Sequence, residues 1–574
     1  MAQSRFLPRF AAGLRTAWAE GYSLADLRHD VMAGLAVGTV AVPLSMALAI
    51  ATGVPPQHGL YTAIVAGLVI ALTGGARFNV SGPTAAFVVI LFPIVQQYGL
   101  GGLLIASLMA GLILLALGMA RLGRLIQFVP YPVVLGFTAG IAVVIATLQV
   151  PDFLGLELGG PGEHFVDSVG LILAALPTVN GFELAVGAFA LGVMLLWPRL
   201  GVPVPAPLVG LAVGAVAAWL LNQYLGGQGG ELVETIASRF SWEAQGRTGQ
   251  GIPPVPPVPV LPWELPGPNG EPLVVSYELL RELLGPAFAI AMLGAIESLL
   301  CAVVADGLTK TRHDPDAELV GQGLGNIVAP FFGGITATAA IARTATNIRS
   351  GARSPVAAAV HALVVLLAVV GLSGLLGLVP MAALAALLFI VAWNMSEARH
   401  FRHALRAAPP GDVLVLLSCF SLTVLVDMVL AVAVGVGLAA ALFIRRMAAL
   451  TEGGRVDGGA LPEGVVVYEV NGPLFFGAAE KALSALRVVD SGVNTVIIDM
   501  HDVPSMDGTA IFALDSLMAD MEQAGVRLVL VGLPGRLIMK LRRAGLRKVP
   551  GSIAWCRNMA QANRLVWRWQ DRRA

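Results

Sequence analysis

Charge is what this chain has least of. Asp, Glu, Lys and Arg make up 13% of its residues, against roughly 25% in a soluble protein, and its mean hydropathy is +0.79. Apart from His58, neither the run from Val31 to Ala76 nor that from Phe78 to Ala120 holds an ionisable residue of the Asp, Glu, Lys, Arg or His type. Each run accommodates two spans of about 20 residues, so the chain reads as a polytopic membrane protein. Cysteine is scarce too. Cys301, Cys419 and Cys556 are scattered and give neither a disulfide framework nor a zinc cluster. The 36 basic and 36 acidic residues cancel, which removes the usual ground for expecting nucleic acid as a partner. No nucleotide loop, metal cluster or nucleophile constellation stands out, so an enzyme is not expected and no metal or cofactor is assigned. The first thirty residues lack the short apolar core and small-residue cleavage site of a secretory leader. With Arg5, Arg9, Arg15 and Arg28, residues 1–30 read as a retained cytoplasmic arm, an amphipathic surface helix feeding the first span.

What is present is arranged twice. Charge-poor stretches place spans near 31–52, 59–75, 82–98, 101–119, 130–149, 182–198 and 206–224, and again near 283–306, 319–332, 338–350, 355–372, 379–395, 412–427 and 429–445. With the N-terminus inside, the inner loops collect Arg121 and Arg124, Arg199, Lys310 and Arg312, Arg349 and Arg353, Arg399, Arg402 and Arg406, and Arg445 and Arg446. The outer stretch from Pro151 to Asn180 carries four acidic residues and no Lys or Arg. That asymmetry is the positive-inside pattern. Seven spans per half set the two halves in opposite orientations, an inverted repeat (about 31–224 and 283–446) within a membrane region of 31–446. The intervening insert, about 225–276, is then external. Its run from Ile252 to Pro262 alternates prolines with apolar residues, and is expected to be a stiff polyproline-like spacer.

Two matching interruptions organise the membrane region. Gly333-Gly334 leads through a short run of hydroxyl-bearing and small residues to Ala339-Ala340-Ile341-Ala342-Arg343, and Gly74-Gly75 leads through Arg77-Phe-Asn-Val to Ser81-Gly-Pro-Thr84-Ala85. Paired interrupted helices in two halves point to a transport site. A helix beginning inside the bilayer leaves backbone N–H groups without partners, and its dipole puts partial positive charge there. Two such ends make an anion site, with Ala85, Ala339, Ala340 and Ala342 small enough to admit a ligand and Ser81 and Thr84 as hydroxyl donors. The structural alternative is that the small residues serve close helix packing. Arg343 costs at least about 2.5 kcal/mol in the membrane and needs an anionic or carbonyl partner, either a substrate carboxylate or a protein group such as Glu297. Glu297 interrupts the apolar run Ala291–Cys301 and is a candidate proton-binding group, or one half of an ion pair with Arg343. In the first span Pro43 bends the chain, where Ser45 and Met46 could line a cavity. Asp427 reads as a helix end at an outer turn.

Beyond Arg446 the composition changes. Short β-type runs at 465–470, 495–500 and 527–531 alternate with helical patterns at about 477–488, 508–524, 535–544 and 557–571. Residues 462–574 therefore read as a small α/β domain, cytoplasmic by topology. There Asp507 fits a helix N-cap.

These stretches carry a resemblance. Ser81-Gly-Pro-Thr-Ala-Ala, Gly294-Ala-Ile-Glu-Ser-Leu-Leu, Glu318-Leu-Val-Gly-Gln-Gly-Leu-Gly-Asn and Gly333-Gly-Ile-Thr-Ala-Thr-Ala-Ala-Ile-Ala-Arg-Thr are similar to the sulfate permease (SulP) family of anion transporters with a C-terminal STAS domain. Nearly the whole chain is covered, and Phe78–Leu91, Ala291–Gly307 and Val391–Ala398 resemble the family's dicarboxylic-acid uptake branch. The resemblance implies fourteen spans in two inverted seven-span repeats, divided into core and gate domains of the UraA type. It implies half-helices at spans 3 and 10 flanked by spans 1 and 8, and a homodimer in the bacterial inner membrane with both termini cytoplasmic. The implied substrates are succinate-like dianions carried with a proton by an elevator motion, and the implied partners are the lipid bilayer, a small anion and a cytoplasmic partner of the STAS domain. Sulfate or bicarbonate transport, or an anion channel or sensor signalling through that domain, are the competing expectations. Sodium-coupled bicarbonate members have aspartate at the position of Glu297 and a hydroxyl residue at that of Cys301, which favours proton coupling here. Resemblance to anti-sigma-factor antagonists sets Thr509 at their phosphorylated serine and makes Asp507 and Thr509 regulatory candidates.

Overall fold

The computed structural model describes residues 10–571 other than 127–128, 159, 161, 163–164, 203, 227–230, 245, 450–451, 458–460 and 476–491. Contacts divide the chain into Met1–Val436 and Gly437–Ala574. Each of the fourteen stretches read as spans holds a helix. Among the described residues, ten helices are long and apolar enough to cross a membrane by themselves. The difference arises where two stretches share one helix or where a helix is short.

Seven helices form one group: α1 (Leu24–Ala51), α2 (Pro56–Thr73), α3 (Ala85–Met119), α4 (Tyr277–Thr309), α5 (Pro315–Val328), α6 (Ile341–Arg349) and α7 (Val356–Gly377). α1 packs on α2 and α7, α3 on α4 and α5, and α2 on α5 and α7. A second group holds Tyr131–Leu154, Gly181–Leu196, Ala206–Tyr224, Met381–Met395 and Pro410–Leu425, with Tyr131–Leu154 packed on the last two. Each group draws helices from both halves of the chain, as an inverted repeat requires. α3 contains two of the fourteen stretches, turned at Gly99, whose φ of 68° is left-handed. Arg399, Arg402 and Arg406 lie on a separate amphipathic helix, Ala398–Ala407, with no buried residue.

α1 starts earlier than its apolar run. Ser23 and Asp26 form a reciprocal capping box, which satisfies two first-turn donors and lets the helix begin at Leu24 within the polar segment. Asp30 is thereby carried into the interior, where it is fully buried. Asp427 lies between two helices and accepts a 2.8 Å hydrogen bond from the Val429 amide.

The insert between the two halves is more than a spacer. It contains a helical turn (Ile236–Arg239) and a hairpin pairing Ser241–Ala244 with Arg247–Gln250. Asn222 bonds the backbone of Leu232 and Val233, the Glu234 amide donates to Glu183, and Arg239 pairs with Asp152 and Glu234. Further along, the Val260 amide donates to the Phe331 carbonyl and the Gly101 amide to the Pro266 carbonyl. Proline removes donors but leaves every carbonyl and the intervening amides free to dock.

The C-terminal unit is a five-stranded sheet in the order β3 (Glu452–Val456), β4 (Val465–Asn471), β5 (Thr495–Asp499), β6 (Arg527–Val531) and β7 (Ile553–Cys556), numbered after two short membrane strands introduced below. β3 runs antiparallel to β4 and the rest are parallel. Helices Gly508–Gln523, Gly535–Arg543 and Met559–Asp571 cover it, while the expected helix at 477–488 lies outside the described residues. β4, β5 and β6 match the β-type runs. β3, glycine-rich, and β7, four residues long, carry too little alternation to be read from sequence.

Candidate functional site

The two interrupted helices meet. β1 (Ser81–Gly82) pairs antiparallel with β2 (Thr338–Ala339), Ser81 opposite Ala339 and Gly82 opposite Thr338. Immediately after them α3 begins at Ala85 and α6 at Ile341, and neither Thr84 nor Ala340 caps its helix with a side-chain hydrogen bond. Two sets of first-turn amides are thus brought together at one strand pair, the arrangement that attracts an anion.

Buried polar groups hold the lead-in strands. Glu318, 1% exposed, accepts hydrogen bonds from the amides of Gly75 (3.0 Å) and Ala76 (2.8 Å) and from the side-chain amides of Asn79 (2.9 Å) and Gln322 (3.2 Å). Gln322 also donates to the Ser81 hydroxyl at 3.1 Å. The lead-in to β2 is tied the same way: Asn326 exchanges hydrogen bonds with the Ala337 backbone, His58 meets the Gly333 carbonyl at 2.6 Å, and Thr62 donates to the Ile335 carbonyl. Thr344 accepts from the Val80 amide and from Cys301, and Asn347 donates to the Phe78 carbonyl. At the far end of α6, Asp30 accepts from the amides of Arg353 and Ser354, the Ser354 hydroxyl and the Tyr22 phenol. Burial and that bond to Asp30 push the Tyr22 phenol up to about 12.

Arg343 is 2% exposed and donates through Nη2 to the Pro83 carbonyl; its Nε and Nη1 have no partner. It forms no ion pair with Glu297. Gly82 is required beside it, since a Cβ there would come within 2.5 Å of Nη1. Glu297 is half-buried and accepts a 3.1 Å hydrogen bond from Thr84. Of the expected hydroxyl donors, Thr84 already donates to Glu297, whereas Ser81 accepts from Gln322 and keeps its own O–H to donate. Ser45 and Met46 are fully buried on α1, where Gly59 of α2 meets the Ser45 carbonyl, and the Ser45 hydroxyl has no partner. Ala85 and Ala339 are buried, Ala340 is half-buried, and Ile341 and Ala342 are exposed. The face of α6 is open while the first turns of α3, from Ala85 to Val88, are closed. Asp507 accepts from the Ala510 amide at 2.8 Å as the N-cap of its helix, with Thr509 in the first turn, and both belong to the C-terminal unit.

Sequence reading missed Glu318, Asp30, Asn326 and the tie from His58 to Gly333. The available signal was a lone carboxylate or amide beside a glycine-rich turn in an otherwise apolar chain.

Two packed helix groups of inverted topology, with interrupted helices facing each other across a two-residue strand pair, define a multi-pass membrane transporter. The sulfate permease family matches residues 27–419 and the STAS domain residues 461–561. The chain belongs to that family. It is 39% identical over 533 residues to YvdB of Bacillus subtilis (strain 168), a candidate sulfate transporter, covering 92% of this chain and 95% of that one. It is 29% identical over 556 residues to the bicarbonate transporter BicA of Picosynechococcus sp., covering 92% of each. Among solved structures, the murine anion transporter Slc26a9 in its inward-facing state superposes with a TM-score of 0.78 at 20% identity, covering 95% of this chain and 92% of that one, a likeness of fold.

Proposed function

We propose that this protein is a secondary active transporter of small organic dianions, C4-dicarboxylates such as succinate, fumarate and aspartate, driven by protons through elevator-like movement of the α1–α7 group. The observation that carries this reading is the pair of uncapped helix starts at β1 and β2, with Arg343 beside them holding two unpartnered donors. Backbone amides and a guanidinium recognise carboxylates by charge and geometry. Ser45, Met46, Ser81, Thr84, Ala85, Ala339, Ala340, Ile341, Ala342 and Arg343 frame the substrate. Glu297, on the open side and bonded to Thr84, takes the proton. The transporter works as a homodimer in the bacterial inner membrane with both termini cytoplasmic, and its STAS domain meets a cytoplasmic partner through the region of Asp507 and Thr509.

A second reading, sulfate or bicarbonate as the cargo, is favoured by the names of the relatives. Uptake of labelled succinate into liposomes holding the purified protein separates the two. Gradient-stimulated uptake resistant to excess sulfate and bicarbonate supports the dicarboxylate reading. Sulfate or bicarbonate uptake unaffected by succinate replaces it, and currents far above carrier turnover reject a carrier.

A further inference from the structure

Residues Gly59, Ala63 and Gly67 recur every four residues along α2 and form one face. Gly59 meets the Ser45 carbonyl, and Ala63 lies beside Gly82, which itself abuts Arg343 Nη1. Gly67 faces the Ser81 carbonyl, and a Cβ on it would sit 3.9 and 4.0 Å from Cε1 and Nδ1 of His361. Four helical residues rise about 6 Å, so the imidazole and the guanidinium lie along the same face of α2 at positions one turn apart, with β1 between them. His361 is 0% exposed; neither ring nitrogen makes a well-formed hydrogen bond, and the backbone of Ala358, one turn back on α7, is the polar group beside it. A buried imidazole this poorly satisfied is costly and calls for an explanation.

The surroundings of this ring are almost free of charge. α7 carries no other ionisable residue. α1 passes it at Val37 and Gly38 and has its ionisable side chains no nearer than Asp30. α2 passes it at Gly67 and Ala71, with His58 and Tyr61 well over a helical turn away. The Ile236–Arg239 turn meets α7 only at its opposite end, near Gly377. β1 presents Ser81, whose hydroxyl leads through Gln322 to Glu318. Among the described residues no carboxylate pairs with the ring.

We propose that His361 is a second proton site of the moving helix group, filled when an anion occupies the space beside Arg343. In the empty site the guanidinium, which lies within reach of the Glu297 charge without pairing to it, disfavours a second positive charge nearby. An anion held at the two helix starts cancels that repulsion, and a proton from water then binds the imidazole. Linkage is reciprocal, so a protonated His361 tightens anion binding by the same factor. Unit charges on the anion and the ring about 10 Å apart in an effective dielectric of about 20 give a coupling of about tenfold. The inference rests on the anion-transport reading and adds a site apart from Glu297.

Protons taken up per anion bound are counted with a pH indicator in weakly buffered detergent solution, using succinate and sulfate as probes and the full chain with and without His361→Gln. The expected result is a loss of up to one proton per anion in H361Q, with a flatter pH dependence of anion affinity and the Glu297 contribution retained. Unchanged proton uptake in a monodisperse, anion-binding H361Q or H361N overturns the inference. Should both variants fold poorly, nitrogen-15 histidine resonances of the unsubstituted protein give the answer: a His361 ring that does not change protonation on adding anion overturns it. Binding of neither probe to the unsubstituted protein overturns the anion reading and this inference together, whereas anion binding with a normal Glu297 contribution and no His361 response overturns this inference alone.

Discussion

Cutting Glu318 back to alanine is expected to loosen the transport site from behind. Its carboxylate accepts four N–H groups, two from the backbone of Gly75 and Ala76 and two from Asn79 and Gln322. In Glu318→Ala the two backbone donors are left buried and unpaired at about 1–3 kcal/mol each. The two side-chain amides can reorient, so the net loss is about 3–5 kcal/mol. Glu318→Gln is a discriminating control. Its oxygen can keep the Gly75 and Ala76 amides while its NH2 group faces Asn79 and Gln322, whose own amide oxygens have no partner. Those two amides can turn over to accept, which limits the cost to about 1 kcal/mol for losing charge assistance. Thermal unfolding of the purified protein in detergent, followed alongside succinate and sulfate binding, reads both variants. The order expected is unsubstituted, then Gln slightly lower, then Ala far lower with weakened binding. An alanine variant as stable as the glutamine one would refute the reasoning.

Three further substitutions probe separate parts. Ala340→Glu sets a carboxylate at the start of α6, where it occupies the ligand's place; uptake should fall at least tenfold while unfolding temperature changes little, and normal uptake would remove Ala340 from the site. Asp30→Ala frees the Arg353 and Ser354 amides, and an unfolding measurement should show a loss of about 2–4 kcal/mol. Asp507→Ala removes an N-cap and should destabilise the isolated unfolding transition of the STAS unit by about 1 kcal/mol, leaving liposome uptake unchanged.

The half-helices were legible because glycine pairs and hydroxyls interrupt apolar runs, and the spans because charge-free stretches repeat seven and seven; the division into two packed helix groups came only from the family resemblance. What holds those pieces was not legible. Glu318 and Asp30 bind backbone amides far away in sequence, and an amide has no side-chain signature. For Arg343 the sequence left a substrate carboxylate, a protein carboxylate such as Glu297 and backbone carbonyls as choices, and the structure gives it the Pro83 carbonyl. The insert read as a spacer from its prolines, yet it docks through carbonyls and interleaved amides that composition does not reveal. His361 passed unnoticed because a single histidine in an apolar helix has no pattern; only its position behind β1 gives it meaning.

The central claim is that Arg343 supplies the positive charge of an anion site built on two helix starts. At about 6 Å and an effective dielectric of about 20, that charge contributes about 3 kcal/mol per unit of anion charge, about 100-fold in affinity. The direct measurement is equilibrium binding of succinate and sulfate to purified Arg343→Gln and Arg343→Lys, each checked for an intact unfolding transition. The account predicts that the glutamine variant loses at least tenfold in affinity for one of the two anions and that lysine restores part of it; equal affinity in the folded glutamine variant would contradict it.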